Sequence, residues 1–180
     1  MPVATVNGRS VFQNVDNVRR RGLEVGWRAQ WGTWAPRASY TYLDAHFGSA
    51  YAGAGGANVA AGNQLPGTAR HAAQLAIDYA PTTRWQLGAT ANVSGPVFAN
   101  DVNSERAAGF AVLGLHAAYG WGGQQAGPGA GTTRWQLWAR LDNVFNRHHA
   151  ATLIVNDANG RYFEPAAGRR LMVGLRAQFM

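Results

Sequence analysis

The chain has 180 residues, no cysteine and a formal net charge of +7. Without cysteine it has no disulfide framework and no thiolate metal site or nucleophile, and no run approaches the roughly 18 apolar residues of a membrane-spanning helix. All 16 basic residues are arginines, scattered at roughly one or two per segment apart from the run at 19–21 and without the aromatic platform of a single-strand binder, so we expect no nucleic-acid partner.

The first half of the chain contains β-strands whose apolar residues recur at every second position. Residues 6–12 predict a short, incomplete strand, and a polar turn follows at 13–17. The next strand places Leu23, Val25 and Trp27 on one face, with polar residues between them. After a tight turn at 32–36, a third strand ends near Phe47.

A segment rich in glycine and alanine covers 48–62, and the whole connection reaches about residue 68. Such a connection is long for a compact soluble domain. In an outer-membrane barrel it would be an extracellular loop, and the alternative is a disordered linker between two domains. The same alternation then resumes in strands at 73–79, 85–94 and 113–121. These are separated by a turn at 80–83 and a loop at 100–107, and a glycine-rich turn follows at 122–132.

The last strands complete the pattern. A seventh strand begins at Trp135, and we expect it to continue through an irregular point at 143–149 as far as Val155. After a loop at 156–168, the final strand puts Leu171, Val173 and Phe179 on one face. The sequence thus predicts an all-β, antiparallel transmembrane β-barrel segment of about eight strands, apolar toward lipid and polar toward the lumen.

The lengths of the connections predict the orientation of these strands. Barrels of this kind have short periplasmic turns and longer extracellular loops. The connections at 32–35, 81–83 and 122–132 would then be periplasmic, and those at 48–68, 100–107 and 156–168 extracellular. Five of the seven tryptophans lie near the proposed periplasmic turns, as an aromatic girdle requires. These five are Trp31, Trp34, Trp85, Trp121 and Trp135.

Several segments, in this order, resemble the C-terminal part of the β-barrel of a TonB-dependent receptor of the outer-membrane siderophore-receptor type. The segments that carry this resemblance are Asn17-Val-Arg-Arg-Arg-Gly-Leu-Glu24, Ala38-Ser-Tyr-Thr-Tyr-Leu-Asp-Ala45, Leu65-Pro-Gly67, Leu141-Asp-Asn-Val-Phe-Asn-Arg147 and Tyr162-Phe-Glu-Pro-Ala-Ala-Gly-Arg-Arg170.

The resemblance implies a location in the outer membrane of a Gram-negative cell, in contact with lipid. It also implies uptake of a ferric siderophore or similar small ligand, without enzymatic activity and without a cofactor. Such a barrel has about 22 strands. We therefore expect residues 1–180 to be a C-terminal portion without signal peptide or plug domain, so that TonB would act through the missing plug.

The expected ligand contacts lie in the proposed extracellular loops. Arg161, Tyr162 and Phe163 are the first candidates, together with Asn100 and Asp101. Ferric siderophores are often anionic and flat, which suits guanidinium groups and aromatic faces. The alternative is that these residues form only a girdle and a solvated loop.

Three other functions are compatible with parts of this pattern. A self-contained eight-stranded barrel of structural or adhesin type would need an interior filled by packed, mutually paired side chains. A soluble β-sandwich is the second alternative, and solubility without detergent would support it. A lipid-modifying enzyme would require a pair such as Ser94 and His116. His148 and His149 are poorly placed to bind one metal ion, because adjacent strand residues point to opposite faces.

Overall fold

The computed structural model describes residues 2–6, 9–12, 15, 17–53, 56–122 and 133–179. None of these residues lies in an α-helix, and so this part of the chain holds no helix long and apolar enough to cross a membrane. The strands, in chain order, are β1 (Pro2–Val6), β2 (Arg9–Phe12), β3 (Val18–Arg28), β4 (Trp34–Phe47), β5 (Tyr51–Ala52), β6 (Asn58–Val59), β7 (His71–Tyr79), β8 (Trp85–Ser94), β9 (Val97–Phe98), β10 (Arg106–Ala107), β11 (Phe110–Trp121), β12 (Thr133–Asp142), β13 (Ala150–Leu153), β14 (Phe163–Pro165) and β15 (Arg170–Phe179).

The seven long strands form one antiparallel sheet in the order β15-β12-β11-β8-β7-β4-β3. Each long strand therefore pairs with the long strands that precede and follow it along the chain. Among the described residues, the two edge strands β3 and β15 do not pair with each other, so the sheet is open. The remaining strands form four short hairpins: β1 with β2, β5 with β6, β9 with β10, and β13 with β14.

One face of this sheet is apolar and is not covered by protein. The pairing sets Leu75 between Ala38 and Ala91, and the same register continues across all seven strands. Large side chains on this face remain solvent-exposed, including Leu75 at 53% and Leu175 at 58%. In a water-soluble domain such a face would pack against a second layer. An exposed apolar sheet face of this extent indicates an apolar surrounding phase.

The opposite face is polar. Gln74 donates a hydrogen bond to Asn92 across β7 and β8, at 2.8 Å. Farther along the same two strands, Asp78 forms an ion pair of 2.5 Å with Arg37 on β4 and lies 3.1 Å from His116 on β11. This face has the hydrogen-bonding groups that an aqueous lumen needs. The prediction that the strands have one apolar and one polar face is confirmed.

The two edges at which the strands end are different in character. Short turns join β3 to β4 and β7 to β8 at one edge, which we call the turn edge. The long connections 48–70, 95–109 and 143–169 lie at the other, the loop edge. Aromatic residues meet along the turn edge, where Trp34 and Tyr79 stack with ring centroids 4.1 Å apart and Trp85 contacts Tyr119 at 4.7 Å. The predicted turn at 122–132 lies outside the described residues, apart from Gly122.

The small core of the described chain lies at the loop edge. Phe47 at the end of β4 is fully buried with Ala45, Val59 and Leu65, and Val18 and Leu43 pack against them. These β3 and β4 residues belong to the polar face. The first long connection therefore folds over the polar face and closes its own hydrophobic cluster there.

Two of the predicted strands differ in extent and pairing from those observed. Where the sequence predicts one strand at 6–12, Val6 ends β1 and Arg9–Phe12 form β2, and these two short strands pair with each other. The seventh strand ends at Asp142 and does not continue to Val155. After a turn closed by Asn143, the chain forms β13, which pairs with β14 rather than with the main sheet.

A charge placed in the middle of the apolar face is expected to prevent insertion into lipid. Leu75→Arg should weaken partitioning of the chain into lipid vesicles by about 2–4 kcal/mol, the cost of arginine near the bilayer midplane on a barrel surface. The neighbouring Gln74→Arg, on the polar face, should have little effect. Co-flotation with vesicles measures both variants, and an equal loss for the two would contradict the assignment of the faces.

Candidate functional site

The three long connections contact one another at the loop edge. The amide of Gly67 in the first connection donates to the carbonyl of Phe98 in the second, at 2.9 Å. The amide of Asn156 in the third donates to the carbonyl of Ala99, also at 2.9 Å. The second connection thus lies between the other two and is bonded to both.

Asp101 joins all three connections. Its Oδ2 accepts a hydrogen bond from the Tyr51 hydroxyl at 2.6 Å and another from Asn156 Nδ2 at 2.9 Å. Its backbone amide donates to Asn156 Oδ1 at 3.0 Å, and its carbonyl accepts from Asn63 Nδ2 at 2.9 Å. The residue is only 4% exposed, and its Oδ1 is buried without a hydrogen-bond partner in the described residues.

Burial raises the pKa of Asp101 above its ordinary value of 3.8, although the hydrogen bonds from Tyr51 and Asn156 oppose the shift. Removal of a carboxylate from water disfavours its charged form, and here that effect is the largest. Burial and the adjacent carboxylate also raise the pKa of Tyr51, which keeps the phenol protonated as the donor to Asp101.

Asn100 and Asn103 shape the second connection around Asp101. Asn100 is 7% exposed, and its Oδ1 accepts from the amide of Ser104 at 3.0 Å. Asn103 has a positive φ of 58°, a backbone region that asparagine tolerates better than most residues. Its side chain pairs with the backbone of Gln64, at 2.7 Å to the amide and 2.8 Å to the carbonyl. Sequence reasoning missed Asn103, since no local pattern indicates its partner.

The other predicted contact residues lie together in the third connection. Asp157 Oδ2 accepts hydrogen bonds from the amides of Asn159 at 3.1 Å and Arg161 at 2.7 Å, and so closes the turn before β14. Arg161 and Phe163 are exposed, and the rings of Tyr162 and Phe163 lie 6.0 Å apart. The structure therefore exposes Arg161 and Phe163, whereas Asn100 and Asp101 lie in the buried network beneath.

A cleft of about 470 Å³ opens between the second and third connections. The charged, imidazole and aromatic side chains that line it are those of Arg106, Arg147, His148, His149, Phe163 and Glu164. Arg106 and Arg147 are exposed, and neither forms an ion pair with a carboxylate among the described residues. Two guanidinium groups beside one carboxylate give the cleft an excess of positive charge, which favours an anionic ligand.

The turn that follows β12 positions the third connection's side of this cleft. Asn143, at φ 50°, accepts from the Arg147 amide at 2.8 Å and donates to the Arg147 carbonyl at 2.9 Å. The His149 ring then lies 4.1 Å from Phe110 at the start of β11. No group of three or more potential metal-ligating side chains occurs in the part of the chain that the structure describes, His148 and His149 included.

Ser94 and His116 are not close enough to act as a catalytic pair. His116 lies opposite Gly88 on β8, six residues from Ser94, or roughly 20 Å along the strand. A Cβ at position 88 would stand 2.7 Å from Asp78 Oδ1, so glycine there leaves the room in which His116 meets Asp78. The imidazole thus belongs to the polar cluster that Arg37, Asp78 and His116 form on the polar face.

The stability of the network that joins the three connections should depend on pH through the charge of Asp101. Because its pKa is raised by folding, stability from this group is complete below the ordinary pKa and is lost as the pH rises through the raised pKa. Amide hydrogen exchange at Gly67 and Asn156, corrected for the intrinsic rate, should therefore show more protection at about pH 4 than at about pH 7.

The matched control for this prediction is Asp101→Asn. The amide keeps an oxygen acceptor for Tyr51 and Asn156 but has no charge to bury. The variant should lose the pH dependence of protection while retaining the network. If it retained the same dependence as the wild type, another group would be responsible.

Comparisons with known proteins agree with this architecture. The family described as TonB dependent receptor-like, beta-barrel, matches residues 1–144. Among solved structures, the siderophore receptor PiuA from Acinetobacter baumannii is 20% identical with a TM-score of 0.69, and the match covers 91% of this chain and 22% of that protein. The ferric preacinetobactin receptor BauA from the same organism is 17% identical with a TM-score of 0.71, over 99% of this chain and 25% of BauA.

A third solved structure, the ferric citrate transporter FecA in its unliganded form, is 21% identical with a TM-score of 0.68. The match covers 91% of this chain and 24% of FecA. The chain thus spans about a quarter of the length of the solved proteins that it matches. At these identities the structural likeness concerns the fold, an antiparallel segment of a large β-barrel wall.

Proposed function

The chain belongs to the TonB-dependent receptor-like β-barrel family, and from this premise we propose that residues 1–180 supply C-terminal strands of an outer-membrane barrel that imports a ferric siderophore. The observation that carries the proposal is the seven-stranded sheet with one uncovered apolar face and one polar face. Lipid would contact the apolar face, and the polar face would line an aqueous lumen. TonB would act through a plug domain held in the bore of the complete barrel.

A larger barrel fits the open sheet better than a self-contained one. A closed eight-stranded barrel requires its first and last strands to pair, and within the described residues β3 and β15 do not. The family and the solved proteins with this fold are receptors and transporters rather than enzymes.

The cleft between the second and third connections supports an anionic chelate as ligand. Arg106 and Arg147 offer guanidinium groups that are not engaged with carboxylates in the described chain, and Phe163 offers an exposed aromatic ring. A ferric siderophore presents negatively charged oxygen donors on a broad, flat surface, which both groups recognise. Two solved proteins of the same fold are named as siderophore and ferric preacinetobactin receptors.

Within this proposal, the predicted contact residues have two roles. Phe163 lines the cleft and would contact the ligand together with Arg106 and Arg147, and Arg161 and Tyr162, which precede it in the third connection, would extend this contact. Asn100 and Asp101 would act beneath them by holding the three connections in place. Any direct contact of these two buried residues with the ligand would require the network to open.

Deletion of the coding region from the source bacterium tests the transport function. Cells under iron limitation should lose uptake of one radioiron-labelled siderophore in a panel of ferric chelates, while cobalamin uptake stays unchanged. The wild-type chain should fractionate with the outer membrane. Unchanged uptake of every ferric chelate, with loss of a different solute, would reject the ferric siderophore but keep the transporter.

Substitution in the cleft tests the ligand site. Arg106→Ala and Arg147→Ala, introduced singly at the chromosomal gene, should each weaken binding of the transported siderophore by about 1.5–3 kcal/mol, the contribution of a hydrogen bond to a charged group. Arg134→Ala is the matched control, because Arg134 is an exposed arginine on the polar face at the opposite end of the sheet. Equal losses for all three would indicate a general charge effect.

A further inference from the structure

A second group of arginines lies on the lipid-facing side of the sheet. On β3 the apolar face carries Leu23, Val25 and Trp27, and the same alternation puts Arg19 and Arg21 on that face at the loop edge. In the seven long strands, all of which the structure describes, these are the only arginines on the apolar face. Arginine is therefore excluded from the middle of this face and appears only where the strand ends.

The pairing of β3 with β4 builds a cluster around one carboxylate. Arg21 lies opposite Asp44 and contacts its Oδ2 at 3.3 Å, and Arg19 lies opposite His46. Arg70, which precedes β7, reaches Asp44 Oδ1 at 3.6 Å, and His46 Nδ1 lies 3.5 Å from the same oxygen. We call the group of Arg19, Arg21, Asp44, His46 and Arg70 the rim cluster.

The rim cluster carries more positive than negative charge. It holds three guanidinium groups and one carboxylate. The side chains of Arg21 and Arg70 remain 78% and 51% exposed, whereas that of Asp44 is 19% exposed. Asp44 thus fixes two guanidinium groups side by side from beneath and leaves their other donors directed to the surroundings. Such an arrangement suits the tetrahedral oxygens of a phosphate group.

The height of the cluster agrees with that of lipid headgroups. Directly below it, Tyr40 bonds to His71 Nδ1 at 2.8 Å, and Tyr42 lies beside the same ring. From Trp34 at the turn edge to Tyr42, β4 advances by eight residue steps, or roughly 26 Å along the strand and about 20 Å along the membrane normal after tilting. The rim cluster therefore lies just above this height, close to the end of the roughly 25 Å apolar band of a membrane barrel.

We propose that the rim cluster binds the phosphate of an anionic lipid headgroup in the outer leaflet. The inference rests on the proposed function and on the orientation predicted from the connection lengths, in which the loop edge is extracellular, but it concerns the outside of the barrel and not the transported ligand. Arg19, Arg21 and Arg70 supply the donors, and Asp44 positions the last two.

Binding of phosphatidic acid to the full chain tests this site. The protein is inserted into phosphatidylcholine vesicles or zwitterionic micelles, and its affinity for a fluorescent phosphatidic acid is measured. Arg19→Gln with Arg21→Gln should lower the affinity roughly 25-fold, at about fivefold for each charge removed near a membrane surface. Arg70→Gln, in the first long connection rather than on β3, should lower the affinity about fivefold. Added salt should weaken the wild type more than the double variant.

The matched control is Arg20→Gln. Arg20 lies between the two substituted arginines and at the same height, but it lies opposite Ala45 on the polar face. Its loss should change the affinity less than twofold, and Arg21→Lys should retain most of the binding because the charge remains. An equal loss for Arg20→Gln and the double variant, or no loss in either, would overturn the proposal.

The source of the phosphate is distinguished by competition. Inorganic phosphate should not displace phosphatidic acid at concentrations at which the lipid saturates the protein, and equal competition would make the cluster a general phosphate site and reject the lipid. A wild-type chain that fails to insert into phosphatidylcholine would overturn the membrane proposal together with this one. Insertion with unchanged affinities in the arginine variants would overturn this one alone.

Discussion

The structure depends on a sheet whose backbone is satisfied by its neighbours while one side-chain face has no protein partner. In the seven long strands, each interior strand exchanges hydrogen bonds with strands on both sides. A strand can cross hydrocarbon only when its backbone is paired in this way, because an unpaired amide costs several kcal/mol there. The same pairing aligns Leu75, Leu115 and Leu175 on one surface, and lipid replaces the second layer that a soluble sheet would require.

Beyond the strand ends the backbone needs other partners, and asparagine and aspartate supply many of them. Asn103, Asn143, Asn146 and Asn156 all adopt positive φ, and each has a side chain bonded to backbone in its own or another connection. These bonds, with the Phe47 cluster over the polar face, make the loop edge an ordered platform. Asp101 lies at the meeting point of the three connections, and one oxygen of its carboxylate is buried there without a hydrogen-bond partner among the described residues.

The sequence predicted what period-two alternation encodes and missed what distant contacts decide. The faces of β3, β7 and β15 follow directly from residues two apart, so those predictions needed no partner strand. Asp101 and Asn156 meet although they are 55 residues apart, and nothing near either one indicates the other. For the same reason Asn100 and Asp101 were predicted as ligand contacts in an extracellular loop, yet they are buried. The strand at 6–12 was misjudged because a weak alternation cannot distinguish a wall strand from half of a hairpin.

The positions of arginine also fix the register of the sheet. On β3, Arg20 and Arg28 lie on the polar face, whereas Arg19 and Arg21 lie on the apolar face beyond its band of large apolar residues. A slip of β3 by one residue would exchange its two faces. Arg28, at the turn end of the strand, would then face lipid, and Leu23 would face the lumen. Arg140 and Arg176, on the polar faces of β12 and β15, would likewise turn toward lipid, at a cost that is about 2–4 kcal/mol at the bilayer midplane and smaller toward the strand ends. Charge therefore helps to fix the register of this sheet, because it makes a one-residue slip more costly than the observed pairing.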